Sequence, residues 1–303
     1  MNNDIKVWLD GTLVDWRNVQ VSPLSHSFSR ASAIFDVLAI IETRRGPAYF
    51  CPQEHVDRLF FSADAISMNL PYTKQQILDA LDQTAKTNHI SKGAAKIFAY
   101  YPDITLGTMP AGRDVSVAIY CLDYEQMGIT QEKLDSPISV GISRYRKLHP
   151  DTTALHAKVV GNYVNGFLAK TEVVGKGYDE ALMLDVHGNI AEGPTSNIFF
   201  VNGQTIETPS EKNVLPGITR GVIMEILSEL DYPIMENSIR PEELSRFDEA
   251  FFSGTLNFVQ PICRIEDTLL TCPGQITSAI KEKIHEVFHA GTSRYDRWLS
   301  YIK

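Results

Sequence analysis

Between its two halves the chain reads Asp123-Tyr124-Glu125-Gln126-Met127-Gly128-Ile129-Thr130-Gln131-Glu132-Lys133-Leu134-Asp135. This stretch is polar and irregular, with no sustained apolar period of either strand or helix. Read as a linker, it divides the 303 residues into a first domain of 1–122 and a second of 136–303, with 123–135 between them. Each part is long enough to bury its own core.

On the N-terminal side, Val7-Trp8-Leu9 and Thr12-Leu13-Val14 flank Asp10-Gly11, a two-residue hairpin signal. A second pair of strands is expected at 33–42 and 48–51, around Arg44-Arg45-Gly46. Pro52 then opens a helix, where its missing N–H costs nothing. Val56, Leu59, Phe60, Ala63 and Ile66 repeat along that helix, with Arg58 at the border of the stripe. A helix over 74–88 and strands over 96–101 and 115–122 complete the half. On the C-terminal side, strands are expected at 138–143, 180–185, 197–201 and 250–253. Helices are expected at 162–175, from about 218 with Val222, Ile223, Ile226, Leu227 and Leu230 on one face, and at 276–288. The mixture predicts two α+β domains with a ligand cleft between them.

Composition narrows the function. Apolar residues make up 44% and charged residues 21%, as in an ordinary globular protein. The net charge of −9 disfavours nucleic acid as a partner. Cys51, Cys121, Cys263 and Cys272 show no metal-ligand spacing and read as reduced thiols of a cytoplasmic protein. Met1-Asn2-Asn3-Asp4 does not read as a leader, and no apolar run reaches the roughly 20 residues of a membrane span. No metal is expected.

Four segments could carry chemistry. Lys158, in His156-Ala157-Lys158-Val159-Val160-Gly161-Asn162-Tyr163, has small and apolar neighbours. Desolvation would lower its pKa and expose a nucleophilic amine. Alone, it reads equally as a snorkelling lysine at a helix start. Glu192, in a turn-rich stretch between two strands, could pair with a protonated ring nitrogen, or be a plain loop carboxylate. Leu215-Pro216-Gly217-Ile218-Thr219-Arg220 could present helix N-terminal N–H groups to a phosphate, or simply cap a helix. Ser253-Gly254-Thr255 could add a hydroxyl and an N–H to the same pocket.

The order of these pieces resembles the class IV aminotransferase family, of branched-chain type. The matching segments are Ala157-Lys158, Gly161-Asn162-Tyr163, Glu192-Gly193, Asn197-Ile198-Phe199, Leu215 to Arg220 and Ser253-Gly254-Thr255. The likeness runs from Val7 to Leu299. It implies a two-domain fold type IV enzyme, like D-amino acid aminotransferase, with pyridoxal 5′-phosphate between the domains. By the same resemblance, Lys158 is the Schiff-base lysine and proton shuttle, and Glu192 pairs with the pyridine nitrogen. Tyr163 bonds the cofactor's phenolic oxygen. Arg58, the N–H groups of Ile218 and Thr219, and the Thr255 hydroxyl hold the phosphate. The family is dimeric, with active sites shared between subunits.

The first half departs from the branched-chain pattern. That pattern places an arginine where Ala39 stands in Phe35-Asp36-Val37-Leu38-Ala39, and a tyrosine and an arginine two residues apart in the strand that here reads Ala94-Ala95-Lys96-Ile97-Phe98. Phe28-Ser29-Arg30-Ala31-Ser32-Ala33-Ile34-Phe35-Asp36-Val37 is closer to (R)-selective amine transaminases and, more loosely, D-amino acid transaminases. Arg30, Phe35, Thr108, Gly254 and Thr255 are the expected substrate contacts; Arg30 reads equally as a surface arginine. Transamination between an amino acid or amine and a 2-oxo acid is the leading function. A lyase resembling aminodeoxychorismate lyase and a non-enzymatic cofactor-binding protein are the alternatives.

Overall fold

Asp10 and Gly11 both take positive φ, 47° and 94°, the backbone a tight two-residue hairpin of type I′ demands. Glycine meets that demand without strain. The turn closes Lys6–Leu9 onto Thr12–Asp15 with Leu9 opposite Thr12. The computed structural model describes residues 4–289 and 293–302. Met1-Asn2-Asn3, read above for a leader, and the Arg294 side chain lie outside the described residues.

The chain forms two units. The first comprises Met1–Thr130, Ala157–Gly161 and Phe288–Lys303; the second comprises Gln131–His156 and Asn162–Val287. The linear reading kept 136–303 together and ended the first domain at 122. Non-local backbone pairing makes the difference. Phe35 N–H donates to Lys158 O at 3.0 Å, and Val160 N–H donates to Ala33 O at 2.8 Å. The late strand Leu299–Tyr301 pairs with Gly46–Phe50. Within 123–135, strand Ser116–Asp123 runs one residue past 122, and Gln131–Asp135 is a short helix.

Among the described residues the first unit holds a seven-stranded antiparallel sheet. Its order is Leu299–Tyr301, Gly46–Phe50, Ile34–Thr43, Gly93–Tyr100, Ser116–Asp123, Lys6–Leu9, Thr12–Asp15. Strand alternation sends Ile34, Leu38 and Ile40 into a core shared with helices Pro52–Ala65 and Lys74–Thr87. Val56, Leu59 and Ala63 bury the first helix, and its N1 residue is Pro52 as expected. Thr73 and Gln76 form a reciprocal capping box that fixes where the second begins.

Among the described residues the second unit holds a nine-stranded mixed sheet. The order is Ile234–Asn237, Thr205–Pro209, Asn197–Asn202, Glu249–Gly254, Phe258–Ile265, Ile138–Ile142, Glu180–Leu184, Ile190–Glu192, with Thr268–Leu269 paired to Phe258–Ile265. Ile138–Ile142 is parallel to both neighbours, and Thr205–Pro209 is parallel to Ile234–Asn237. Helices Tyr163–Val174, Ile218–Glu229 and Gln275–His289 lie where the apolar period places them. The buried Glu249 carboxylate accepts from Ile276 N, Thr277 N and Thr277 Oγ1 at 2.7–3.1 Å, so it caps the last of these helices. No helix of the described residues is long and apolar enough to cross a membrane.

Candidate active site

In the first unit, Lys158 lies at the start of Ile34–Thr43, held by the backbone pairing with Phe35. Its N–H donates to Ser62 Oγ at 3.0 Å, which ties it to helix Pro52–Ala65. The side chain is 9% exposed, and Nζ lies 4.8 Å from the centre of the Phe35 ring. An aliphatic stem buried in this way directs its amine rather than letting it wander in solvent.

Arg58 lies one turn before Ser62. Its Nε and Nη2 each donate to Asp36 at 2.8 Å, and His55 Nδ1 lies 2.7 Å from the same carboxylate. Asp36 is fully buried, on the core face of its strand. Burial alone would raise its pKa, but the Arg58 charge and then His55 hold it well below the usual carboxylate range. Burial pushes the His55 imidazole down, against the pull of Asp36. The expected phosphate arginine is therefore already braced by a carboxylate and an imidazole to which the linear reading gave no such role.

The opposite face of the strand carries Phe35. On that face Ala39 stands directly opposite Ala94, Val37 opposite Lys96, and Lys96 opposite Tyr120. Among the described residues, Lys96 is the only charged one on this face of Ile34–Thr43, Gly93–Tyr100, Ser116–Asp123 and Lys6–Leu9. Its Nζ lies 4.6 Å from the Phe35 ring centre and 4.4 Å from that of Phe98. Burial lowers its pKa. Two lysine amines, of Lys158 and Lys96, thus flank one phenyl ring.

Arg30 ends the short helix His26–Arg30 and is exposed, with Nη2 donating to Leu106 O at 2.9 Å. Thr108 is also exposed, and its carbonyl lies 2.9 Å from His26 Nε2. The helix and the loop through Leu106 and Thr108 are therefore tied together twice.

In the second unit, Glu192 ends the three-residue strand Ile190–Glu192, opposite Met183, where the linear reading had a loop. It is 3% exposed. Oε1 accepts from Leu215 N at 3.2 Å and lies 2.5 Å from Lys147 Nζ; Oε2 accepts from Asn197 Nδ2 at 2.9 Å. Lys147 sits in an unremarkable basic run, Arg144-Tyr145-Arg146-Lys147, which carries no local mark of this contact. Tyr163 opens its helix and is part-buried.

Helix Ile218–Glu229 starts from Gly217, which brings no capping side chain to the N–H groups of the first turn. A side chain at 217 would collide with Asn197, since a Cβ there would lie 2.0 Å from Asn197 Oδ1. Thr219 is buried in that first turn. Ser253, just before Gly254 and Thr255, has a buried Oγ with no hydrogen-bond partner among the described residues. An uncapped helix N-terminus and an orphaned hydroxyl suit a phosphate. A buried carboxylate with three donors suits a ring nitrogen, and a buried amine suits an aldehyde.

Residues 33–265 match the family profile described as amino-transferase class IV. The chain belongs to the class IV aminotransferases. Like the class, it is a pyridoxal-phosphate-dependent enzyme that moves amino groups. It is 30% identical to the branched-chain-amino-acid aminotransferase of Pseudomonas aeruginosa, over 100% of this chain and 99% of that protein. It is 27% identical to the Escherichia coli enzyme of the same name, over 98% and 97%. Among solved structures, the branched-chain aminotransferase of Thermoproteus uzoniensis with norvaline matches with a TM-score of 0.93 at 30% identity, covering 99% of both chains. The T.th. branched-chain enzyme complexed with N-(5′-phosphopyridoxyl)-L-glutamate matches at 0.92 and 28%, covering 98% of both. The fold is thus the two-domain α+β fold of these enzymes, as the resemblance implied.

Proposed function

We propose that this aminotransferase exchanges an amino group between branched-chain-type amino acids and 2-oxo acids. The observation that carries the reading is Lys158, a nearly buried amine fixed against Phe35 by backbone and side-chain contacts, in a chain similar to branched-chain enzymes from end to end. Pyridoxal 5′-phosphate, when bound, supplies the aldehyde carbon and an electron-withdrawing ring. Lys158 Nζ anchors it and then takes and returns the substrate proton as general base and acid. Glu192 faces the ring nitrogen, and Tyr163 the phenolic oxygen. Arg58, the N–H groups of Ile218 and Thr219, and Thr255 Oγ1 hold the phosphate, with Ser253 Oγ a further donor.

The substrate contacts proposed are Arg30, Phe35, Thr108, Gly254 and Thr255, with Lys96 added. The paired alanines at 39 and 94 leave Lys96 as the one charge on that face of the described strands, next to Phe35. This supports an altered carboxylate site and a second reading, in which D-amino acids or (R)-configured amines are also turned over. A half-reaction screen tests both. The yellow enzyme is mixed separately with L-leucine, L-glutamate, D-alanine and (R)-1-phenylethylamine, and the loss of cofactor absorbance is followed. Reaction with L-leucine is expected to be fastest. No reaction with L-leucine or L-glutamate overturns the first reading, and no reaction with either of the others overturns the second.

We further propose a homodimer with shared sites. Phe28, Leu106 and Met109 around the Arg30 loop, and Val164 and Phe167 on helix Tyr163–Val174, are exposed apolar side chains that an interface would cover. Light scattering giving a monomer mass would refute it. Cytoplasmic placement rests on the four cysteines, none of which is in a disulfide among the described residues.

A further inference from the structure

Lys147 was not among the residues assigned to the site, yet it makes the shortest contact to the Glu192 carboxylate. Its Nζ lies 2.5 Å from Oε1, and its side chain is only 15% exposed. Lys147 N–H donates to Leu184 O at 2.8 Å, so its backbone is pinned to the strand beside Ile190–Glu192. Three donors divide the carboxylate unequally. Leu215 N–H and the Lys147 ammonium both serve Oε1, whereas among the described residues Oε2 receives only Asn197 Nδ2. The next carboxylate along, Asp185, is occupied with His187 N, Asn189 and Asn213, and does not compete for Lys147. A buried charge pair of this kind is a weak source of net stability, because desolvation offsets most of the attraction. Its effect on a third charge placed beside the carboxylate is larger.

We infer that Lys147 is a positioning residue that turns Glu192 toward the ring nitrogen through Oε2 and moderates the negative charge the ring experiences. The inference rests on Glu192 being the partner of that nitrogen. A fixed cation on Oε1 opposes the extra proton that the carboxylate attracts to the cofactor. Glu192 therefore acts as less than a full charge. An arginine in place of Lys147 would do the same; a neutral side chain of equal length would not.

The test is a spectroscopic titration of the purified holoenzyme, which reads the pH midpoint of the bound cofactor's visible absorbance without turnover. Lys147→Met should move the midpoint up by about one pH unit, the effect of one charge about 12 Å away at an effective dielectric of about 20. Lys147→Arg should leave it near the parent value. Glu192→Gln should also shift it, since that change removes the anion and with it the ring proton the anion holds. A Lys147→Met enzyme that is less heat-stable but titrates like the parent would reduce Lys147 to a structural ion pair and overturn the inference. If Glu192→Gln also fails to move the midpoint, the assignment of Glu192 itself falls, and the inference with it.

Discussion

A methyl group at Gly217 would meet Asn197 Oδ1 at 2.0 Å, well inside any permitted contact. The backbone there, φ −74° and ψ 129°, accepts alanine without strain, so the cost of Gly217→Ala is the displacement of Asn197. That amide is not free to yield. It is 6% exposed, and its Nδ2 donates to Glu192 Oε2 at 2.9 Å and to Leu215 O at 3.0 Å. Losing a charge-assisted and a neutral buried bond costs about 2–4 kcal/mol together. The entropy that alanine removes from the unfolded chain returns about 0.4–1 kcal/mol. Urea denaturation of the apoenzyme should therefore show a net loss of about 1–3.5 kcal/mol. The decisive measurement is a double-mutant cycle. With Asn197→Ala already in place the obstacle is gone, and Gly217→Ala should cost almost nothing. If Gly217→Ala costs the same in both backgrounds, within about 0.5 kcal/mol, the proposed coupling between the helix start and the Glu192 carboxylate does not exist.

Lys158→Ala should lower transamination by several orders of magnitude and abolish the mass increase that borohydride leaves on the parent enzyme; substantial turnover without added amine would contradict its role. Arg58→Ala should raise the cofactor dissociation constant roughly 10- to 100-fold through the lost phosphate contact. Because it also strands the buried Asp36, it should destabilise even the apoenzyme by about 3–5 kcal/mol, and an unchanged apoenzyme melting temperature would count against the brace. Acid should unfold the first unit in two stages. His55 has a lowered folded pKa, so the unfolded chain binds more protons and stability falls as pH drops below about 6.5. Asp36 is lowered too, and the stability it contributes above about pH 4 is lost as pH falls toward its folded pKa. In an Asp36→Asn/His55→Gln variant both stages should flatten in a plot of unfolding free energy against pH; unaltered slopes would place the acid sensitivity elsewhere.

What the sequence determined by itself is local. Asp10-Gly11 dictates a hairpin, Pro52 a helix start, and Val222, Ile223, Ile226 and Leu227 a buried helical stripe, because turn chemistry and side-chain period act over a few residues. The ordered motifs around Lys158, Glu192, Thr219 and Ser253-Gly254-Thr255 likewise reveal the family, since each is contiguous. Strands Thr205–Pro209 and Phe258–Ile265 were not foreseen, being buried on nearly every residue and so lacking the alternation that marks a half-exposed strand. Tertiary structure alone decided that Ala157–Gly161 joins the first unit, that Asp36 grips Arg58 from 22 residues away, and that Lys147 reaches Glu192. It also set Ala39 opposite Ala94 and Lys96 beside Phe35. Strand register and helix-on-sheet packing create these meetings between distant residues. The energy that selects them comes from burying the core as a whole, so the sequence near either partner carries no mark of the other.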